Sequence, residues 1–233
     1  MTNLVVLTGA GVSAGSGLGT FRDAGGLWAR FDPYQLATPE GFARDPALVH
    51  EFYNVRRRAT RAAQPNPAHQ ALARLEADWA ARRGDFLLVT QNIDDLHQRA
   101  GSRAVTPMHG EILKARCEAC GGIIDQAHDL DTATACPLCA NIGTLRPHVV
   151  WFGEVPLFMD QIGQALARAD LFVAIGTSGS VYPAAGFVAL AKQAAARTVE
   201  LNLEPSDNAD AFDEGRYGPA SQIVPDWVDG LST

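Results

Sequence analysis

Hydrophobic residues fall along this chain in two rhythms, and each predicts a different kind of element. Short unbroken apolar runs occur at Leu4–Leu7, Phe86–Val89 and Leu171–Ile175. Runs of that length, rich in Val, Ile, Leu and Phe, read as strands covered on both faces. Thr198–Leu203 is a further strand, and Ala104–Met108 a strand-like piece. Between them the spacing turns helical. Asp45–Ala63 is one predicted helix, broken by Pro65 and Pro67. A second starts at Asn66–His69, carries Ala71, Leu72 and Leu75 at helical spacing, and stops before Gly84. Shorter helices are expected near Val12–Ser16 and over Ile93–Arg99, and an alanine-rich one over Tyr182–Ala196. Strands alternating with helices predict an α/β protein, a Rossmann-like parallel sheet with helices on both faces.

The first strand runs into Thr8–Trp28, TGAGVSAGSGLGTFRDAGGLW. Gly9, Gly11 and Ala14 have the spacing of a G-x-G-x-x-A turn. The first glycine would turn sharply, the second let backbone approach a pyrophosphate, and the small third residue pack helix on strand. A plain strand-to-helix turn is the other reading. An ordinary dehydrogenase needs an acidic residue about 20 positions on, ending a second strand. Asp32 is near that distance but follows AGGLWARF, which has no strand pattern. Phe21, Arg22 and Asp23 instead sit among glycines in a long loop, read as a lid over a phosphate site. Ligands of open parallel sheets bind beyond the carboxyl ends of the strands. Thr8-Gly9, Thr90-Gln91-Asn92, Gly176-Thr177-Ser178 and Asn202 all stand at such ends. Gln91, Asn92 and Asp94 read either as donors and acceptors for a carboxamide and ribose hydroxyls, or as a helix cap with acid in the first turn.

Composition narrows the class. At 233 residues, 47% hydrophobic and 19% charged, the chain can bury one full core and carry a small appended module. No apolar run approaches the roughly 18–20 residues of a membrane span, and no secretory leader precedes the first strand. The expectation is a cytoplasmic protein without a membrane partner. A net charge of −7 argues against a nucleic-acid partner, which needs a basic footprint. The four cysteines are spaced Cys117-x2-Cys120 and Cys136-x2-Cys139, with 15 residues between the pairs. Two such knuckles supply four thiolates to one tetrahedral, closed zinc site, which holds a module together and leaves no position for substrate.

Two constellations are ambiguous by themselves. Among six histidines, His109 follows a strand-like piece, precedes Gly110 and lies just ahead of the cysteines. Tyr53 and Arg56, at i and i+3 in HEFYNVRRR, share one helix face, yet Arg56, Arg57, Arg58 and Arg61 could equally make a solvated basic face.

Seven blocks in order, GAGVSAGSGLGTFRDAGGLW, TQNIDDLHQRAG, MHGE, CEAC…CPLC, RPHVVWFGE, GTSGSVYPAAG and LNLEP, resemble the sirtuins, NAD-dependent protein-lysine deacylases, and among them the bacterial members grouped with class III. The resemblance runs from about Leu4 to Val224. It implies His109 as catalytic base. It implies NAD as co-substrate, held by Gly9, Ala10, Gly11, Ser13, Ala14, Gly19, Thr20, Phe21, Arg22 and Trp28 of the first block. Further NAD contacts fall on Gln91, Asn92, Ile93 and Asp94, then on Gly176, Thr177, Ser178, Asn202, Leu203, Glu204 and Ala220. Tyr53 and Arg56 match a pair that binds the carboxylate of a succinyl or malonyl group. Val149, Trp151, Phe152 and Gly153 match a border of the lysine channel, a plain buried strand being the alternative. The cysteine cluster is structural in that family.

The expectation is therefore an NAD-dependent deacylase removing acetyl, succinyl and malonyl groups from lysines of proteins or peptides, acting as a monomer and releasing nicotinamide and O-acyl-ADP-ribose. Its NAD-binding domain comprises 1–30, 84–115 and 145–233, with a helical insertion at 31–83 and a zinc module at 116–144. A protein ADP-ribosyltransferase on the same scaffold and a non-catalytic NAD-sensing module are the rival readings.

Overall fold

A computed structural model describes residues 2–19, 33–82 and 84–231. The main sheet has six parallel strands: β1 (Leu4–Thr8), β2 (Phe86–Thr90), β3 (Val105–Pro107), β7 (Leu171–Ile175), β8 (Arg197–Asn202) and β9 (Glu214–Tyr217). They lie in the order β3-β2-β1-β7-β8-β9. The chain builds outward from β1 on one side, then returns to β1's other edge and builds the opposite way. That reversal leaves a crevice at the carboxyl ends of β1 and β7, where open parallel sheets bind ligands.

Alternation along the central strands separates two cores, because successive side chains point to opposite faces. Leu4, Val6, Leu88, Val173 and Leu201 pack with Leu72, Leu75 and Trp79 of α5 (Pro67–Arg82) and Val224, Trp227 and Val228 of α9 (Ala220–Leu231). Val5, Leu7, Val89, Phe172 and Ala174 face the other way. Their partners are Ile162 and Leu166 of α7 (Met159–Leu166) and Phe187, Val188 and Ala191 of α8 (Phe187–Gln193). The expected Rossmann-like sheet with helices on both faces is what forms.

Several elements differ from expectation. The helix after β1, α1, spans Ala10–Ala14, not Val12–Ser16. Ala14 is exposed and does not pack against a strand; Val12 and Ser13 are the buried residues of that turn. The helix expected at Tyr182 begins as a 3₁₀ turn at Ala184–Gly186 and becomes α8 only at Phe187. The short helix α6 is confined to Leu96–Arg99. The segments forming α7, β9 and α9 drew no expectation, although both helices carry an apolar face.

A second sheet of three antiparallel strands, β5-β4-β6, is made from β4 (Gly110–Cys117), β5 (Ile123–Asp125) and β6 (Leu145–Val149). Against it lies a helical layer: α2 (Pro33–Leu36), α3 (Pro39–Arg44) and α4 (Pro46–Ala62). Thr38 and Asp45 cap α3 and α4, accepting from the amides of Gly41 and Leu48, and each helix opens on proline. Proline suits that first position because its missing N–H would have no partner there. Leu36, Phe42, Val49, Phe52 and Tyr53 from this layer pack on Ile112, Val149 and Trp151.

Candidate functional site

The crevice is closed from below by two turns that interlock. Gly9 N–H donates to the Ile175 carbonyl and Gly11 N–H to the Gly176 carbonyl, each at 2.9 Å. A Cβ on Gly9 would lie 2.7 Å from the Gly176 oxygen, and one on Gly11 2.7 Å from the Gly176 Cα. Gly176 itself has φ +63, a conformation costly to residues with a side chain. The paired glycines are thus required by the approach of the β7 turn. The G-x-G spacing had suggested a sharp turn and an approach to phosphate, not packing against the β7 turn.

Above this floor, a polar network joins the ends of β1 and β2. Asn92 Nδ2 donates to the Gly9 carbonyl and to Ser13 Oγ, both at 3.1 Å. Ser13 Oγ in turn donates to Asp94 Oδ2 at 3.0 Å, and Leu96 N–H to Asp94 Oδ1 at 3.1 Å. Burial pushes the Asp94 carboxyl up, while those two donors hold it down. Asn92 and Asp94 are therefore more than a helix cap, for they lock the first turn in place. Below them His69 Nε2 stands 3.4 Å from Ser13 Oγ, and His97 Nε2 is 3.0 Å from Thr8 Oγ1. Sequence reasoning gave neither histidine a place here, and spacing along the chain carried no signal for it.

Other expected cofactor residues line the same rim. Thr177 and Ser178 follow Gly176, and Asn202 Nδ2 donates to the Thr177 carbonyl at 2.7 Å. Leu203 and Glu204 are exposed beyond β8, and Ala220 opens α9 just after Gly218, whose N–H donates to the Asn202 carbonyl at 2.8 Å. Ala10 is half-buried and Gly19 exposed. Ile93 lies toward the second sheet, its carbonyl accepting from Ile112 N–H at 2.8 Å. Thr20, Phe21, Arg22, Asp23, Trp28 and Asp32 fall outside the described residues.

His109 stands at the seam between the two sheets. Gly110, with φ +82, turns the chain sharply there and packs its Cα against the His148 carbonyl, leaving no room for a side chain. The His109 carbonyl accepts from Val150 N–H at 2.9 Å, and its Nδ1 lies 3.0 Å from the Gln91 carbonyl. A carbonyl only accepts, so Nδ1 carries the proton and Nε2 presents a lone pair. Burial holds this imidazole below its ordinary value, against the opposing pull of the Gln91 bond. At neutral pH it is an uncharged base.

The second sheet gathers the residues expected to meet substrate. Tyr53 and Trp151 are each 2% exposed, and Val149 packs beside them. Trp151 Nε1 donates to Tyr53 Oη at 2.9 Å. Its indole therefore sits in the core, as the buried-strand alternative also has it; Phe152 and Gly153, next along, are exposed. Arg56 lies across the Phe52 and Tyr53 rings, 5.7 and 6.0 Å from their centroids. Desolvation lowers its guanidinium, while Tyr53 and the Asp94 carboxylate favour its charge. The solvated basic face does not form as a unit. Arg57 is fully buried, donating to the Ile112 carbonyl at 3.1 Å and to Asn54 Oδ1 at 2.6 Å. Asn54 also pairs with both backbone groups of Leu130, at 2.8 and 2.9 Å. This anchor between α4 and the cysteine module had no signature in the sequence.

The four cysteine sulfurs all lie within 4.8 Å of one another, with Cys117–Cys139 at 3.7 Å and Cys120–Cys136 at 3.9 Å. Zinc–sulfur bonds of about 2.3 Å in a tetrahedron place sulfurs about 3.8 Å apart, so the group fits one zinc ion. The Thr144 hydroxyl, 3.1 Å away, holds the Cys117 thiol down to about 6. No disulfide forms among the four.

A parallel sheet reversing at β1, glycine turns at the reversal, and a four-thiol module beside a buried imidazole define a dinucleotide-binding α/β protein with a structural metal. The Sir2 family model matches residues 9–183, and the chain belongs to that family. It is 60% identical over 226 residues to an NAD-dependent protein deacylase of Caulobacter vibrioides, covering 97% of this chain and 95% of the relative. A solved Sir2 homologue–NAD complex superposes with a TM-score of 0.89 at 38% identity, over 98% of this chain and 89% of the other. A Sir2 protein with a deacetylated peptide and 3′-O-acetyl-ADP-ribose gives 0.83 at 27% identity, over 98% and 93%.

Proposed function

We propose that this protein is an NAD-dependent protein-lysine deacylase acting on acetyl groups and on acidic acyl groups such as succinyl and malonyl. The observation that carries the reading is the placement of His109. A neutral imidazole, its tautomer set by the Gln91 carbonyl, stands where the cofactor crevice meets the second sheet. When bound, NAD would supply an activated ribose carbon, with nicotinamide as the leaving group, for the acyl oxygen of the substrate. The residues of this chain do the rest. Asn92 and Asp94, held by Ser13, offer an amide and a carboxylate to the ribose and carboxamide end. Gly176, Thr177, Ser178 and Asn202 border the adenosine end. His109 Nε2 takes the proton of a ribose hydroxyl as general base. Leu203, Glu204 and Ala220 extend the rim on the adenosine side.

The acidic acyl preference rests on Tyr53 and Arg56. A guanidinium fork and a phenol match a carboxylate in charge and geometry, and both lie on the face of α4 nearest Asp94 and Trp151. Val149, Phe152 and Gly153 offer an apolar segment beside which an acylated peptide can lie extended. Cys117, Cys120, Cys136 and Cys139 would hold zinc away from the reacting atoms.

The test is direct. Pure protein is given NAD with matched acetyl-, malonyl- and succinyl-lysine peptides, and nicotinamide release is compared with lysine freed. One nicotinamide per lysine on all three is expected. Lysine freed without NAD, or ADP-ribose left on the peptide, overturns the reading.

A further inference from the structure

We infer that Trp151 is a specificity-determining positioning residue that acts through Tyr53: its indole N–H turns the phenol into a committed donor toward an acyl carboxylate. This rests on the acidic-acyl reading above and adds a residue to it.

A phenol hydroxyl lies close to its ring plane and has two orientations, and its oxygen both donates and accepts. At Tyr53 one side is taken, because Trp151 Nε1 donates there at 2.9 Å. The hydroxyl proton must point the other way. Tyr53 is buried, and among the described residues its proton meets no acceptor. A buried donor without an acceptor is costly unless something brings one. Burial also keeps the phenol protonated, raising it above its ordinary value, so what is offered is a proton. Arg56 is poised over the same ring. A carboxylate has an acceptor oxygen for that proton and a charge opposite to the guanidinium; a methyl group has neither.

Trp151 is itself held on several sides. The Arg146 guanidinium stacks 3.3 Å over its ring, and its backbone N–H donates to Glu154 Oε2 at 2.8 Å. Glu154 grips Arg146 through both oxygens, at 2.8 and 3.0 Å. Phe42 packs 5.3 Å from the indole centroid. A side chain so fixed can dictate the direction of a hydroxyl. The competing view is that two amphipathic aromatics in one core merely satisfy each other.

A double-mutant cycle separates the two. Succinyl- and acetyl-lysine peptides are compared by kcat/KM in the wild type, Trp151→Phe, Tyr53→Phe and the double variant. One charge-directed hydrogen bond is worth about tenfold or more, so the succinyl-to-acetyl ratio is expected to drop about tenfold in Trp151→Phe, whatever loss both substrates share. In the Tyr53→Phe background the further change to Phe at 151 is expected to leave that ratio unmoved, because the hydroxyl it orients is gone. Trp151→3-benzothienylalanine, which keeps the ring shape and loses the N–H, gives the same comparison if the Phe variant folds poorly. Equal falls on both substrates, or independent effects at the two positions, overturn the inference while leaving the acidic-acyl reading intact. A wild-type enzyme that turns over acetyl- but not succinyl-lysine overturns both.

Discussion

The role proposed for His109 rests on one contact. With Nδ1 protonated against the Gln91 carbonyl, Nε2 is free to accept, and burial keeps the ring neutral below the pH at which an exposed histidine would charge. The proposed general base must be neutral to act, so the ascending limb of kcat/KM against pH is expected below pH 6.5, the ordinary value. His109→Ala is expected to abolish that limb together with the activity while leaving NAD binding intact; a mutant as active as the wild type would remove His109 from the mechanism. At this scale the sequence was informative about residue types and poor on partners. The motif around His109 singled out this imidazole through resemblance, yet nothing in it specified the Gln91 carbonyl. Likewise Arg56, Arg57 and Arg58 look alike in a row of arginines. In the fold one lies across aromatic rings, one is buried on a carbonyl and an asparagine, and one is exposed and ion-paired with Glu51 and Asp129.

Elements were read best where burial is complete. β1 and β7 are buried along their whole length and β2 over its last three residues; all three are apolar up to the threonines that end β1 and β2, and their limits were read within a residue. The end of α8 was harder. Its alanine-rich run continues past the point where the helix stops, and the stop comes from Ala195 adopting φ +59. Ala196 N–H then reaches back to the Ala191 carbonyl at 3.0 Å, in the pattern of a left-handed helix cap. Alanine pays roughly 1–2 kcal/mol for that conformation, which glycine does not. Ala195→Gly is therefore expected to stabilise the protein by about 1 kcal/mol after the entropy of the unfolded chain is counted, measured by urea unfolding. An unchanged or lowered midpoint would mean the left-handed turn is not the native one.

The molecule as a whole depends on the cysteine module more than its size suggests. Only a few apolar residues, among them Ala115, Leu130 and Leu145, pack around it, too few to hold it alone. Structural zinc contributes on the order of 10 kcal/mol in small domains, comparable with the roughly 5–15 kcal/mol of a whole fold. Chelation or Cys136→Ser is expected to lower Tm and to release Leu130 from Asn54, loosening α4 and with it Tyr53 and Arg56. A stable, active protein shown by metal analysis to be zinc-free would refute this. Acid acts on the other sheet. Burial holds His69 down to about 4 and His97 lower than ordinary too. The unfolded chain binds those protons near pH 6.5 and the native state does not, so stability is lost as pH falls from 6.5 toward 4. His69 alone accounts for about 3 kcal/mol of that loss. Urea midpoints across that range test it, and a flat profile would show that these imidazoles are not neutral in the core.

Local pattern alone determined the parallel α/β class, the glycine turn after the first strand and the four-thiol zinc site. Each follows from residues close in the chain, whose spacing dictates periodicity, backbone freedom or ligand geometry. Only the folded chain decided what the glycines pack against, that Ala14 faces solvent, and that Trp151 meets Tyr53 from 98 positions away. Apolar rhythm says that a side chain is buried but not which side chain it is buried against, and the chemistry of this site lies in those pairings.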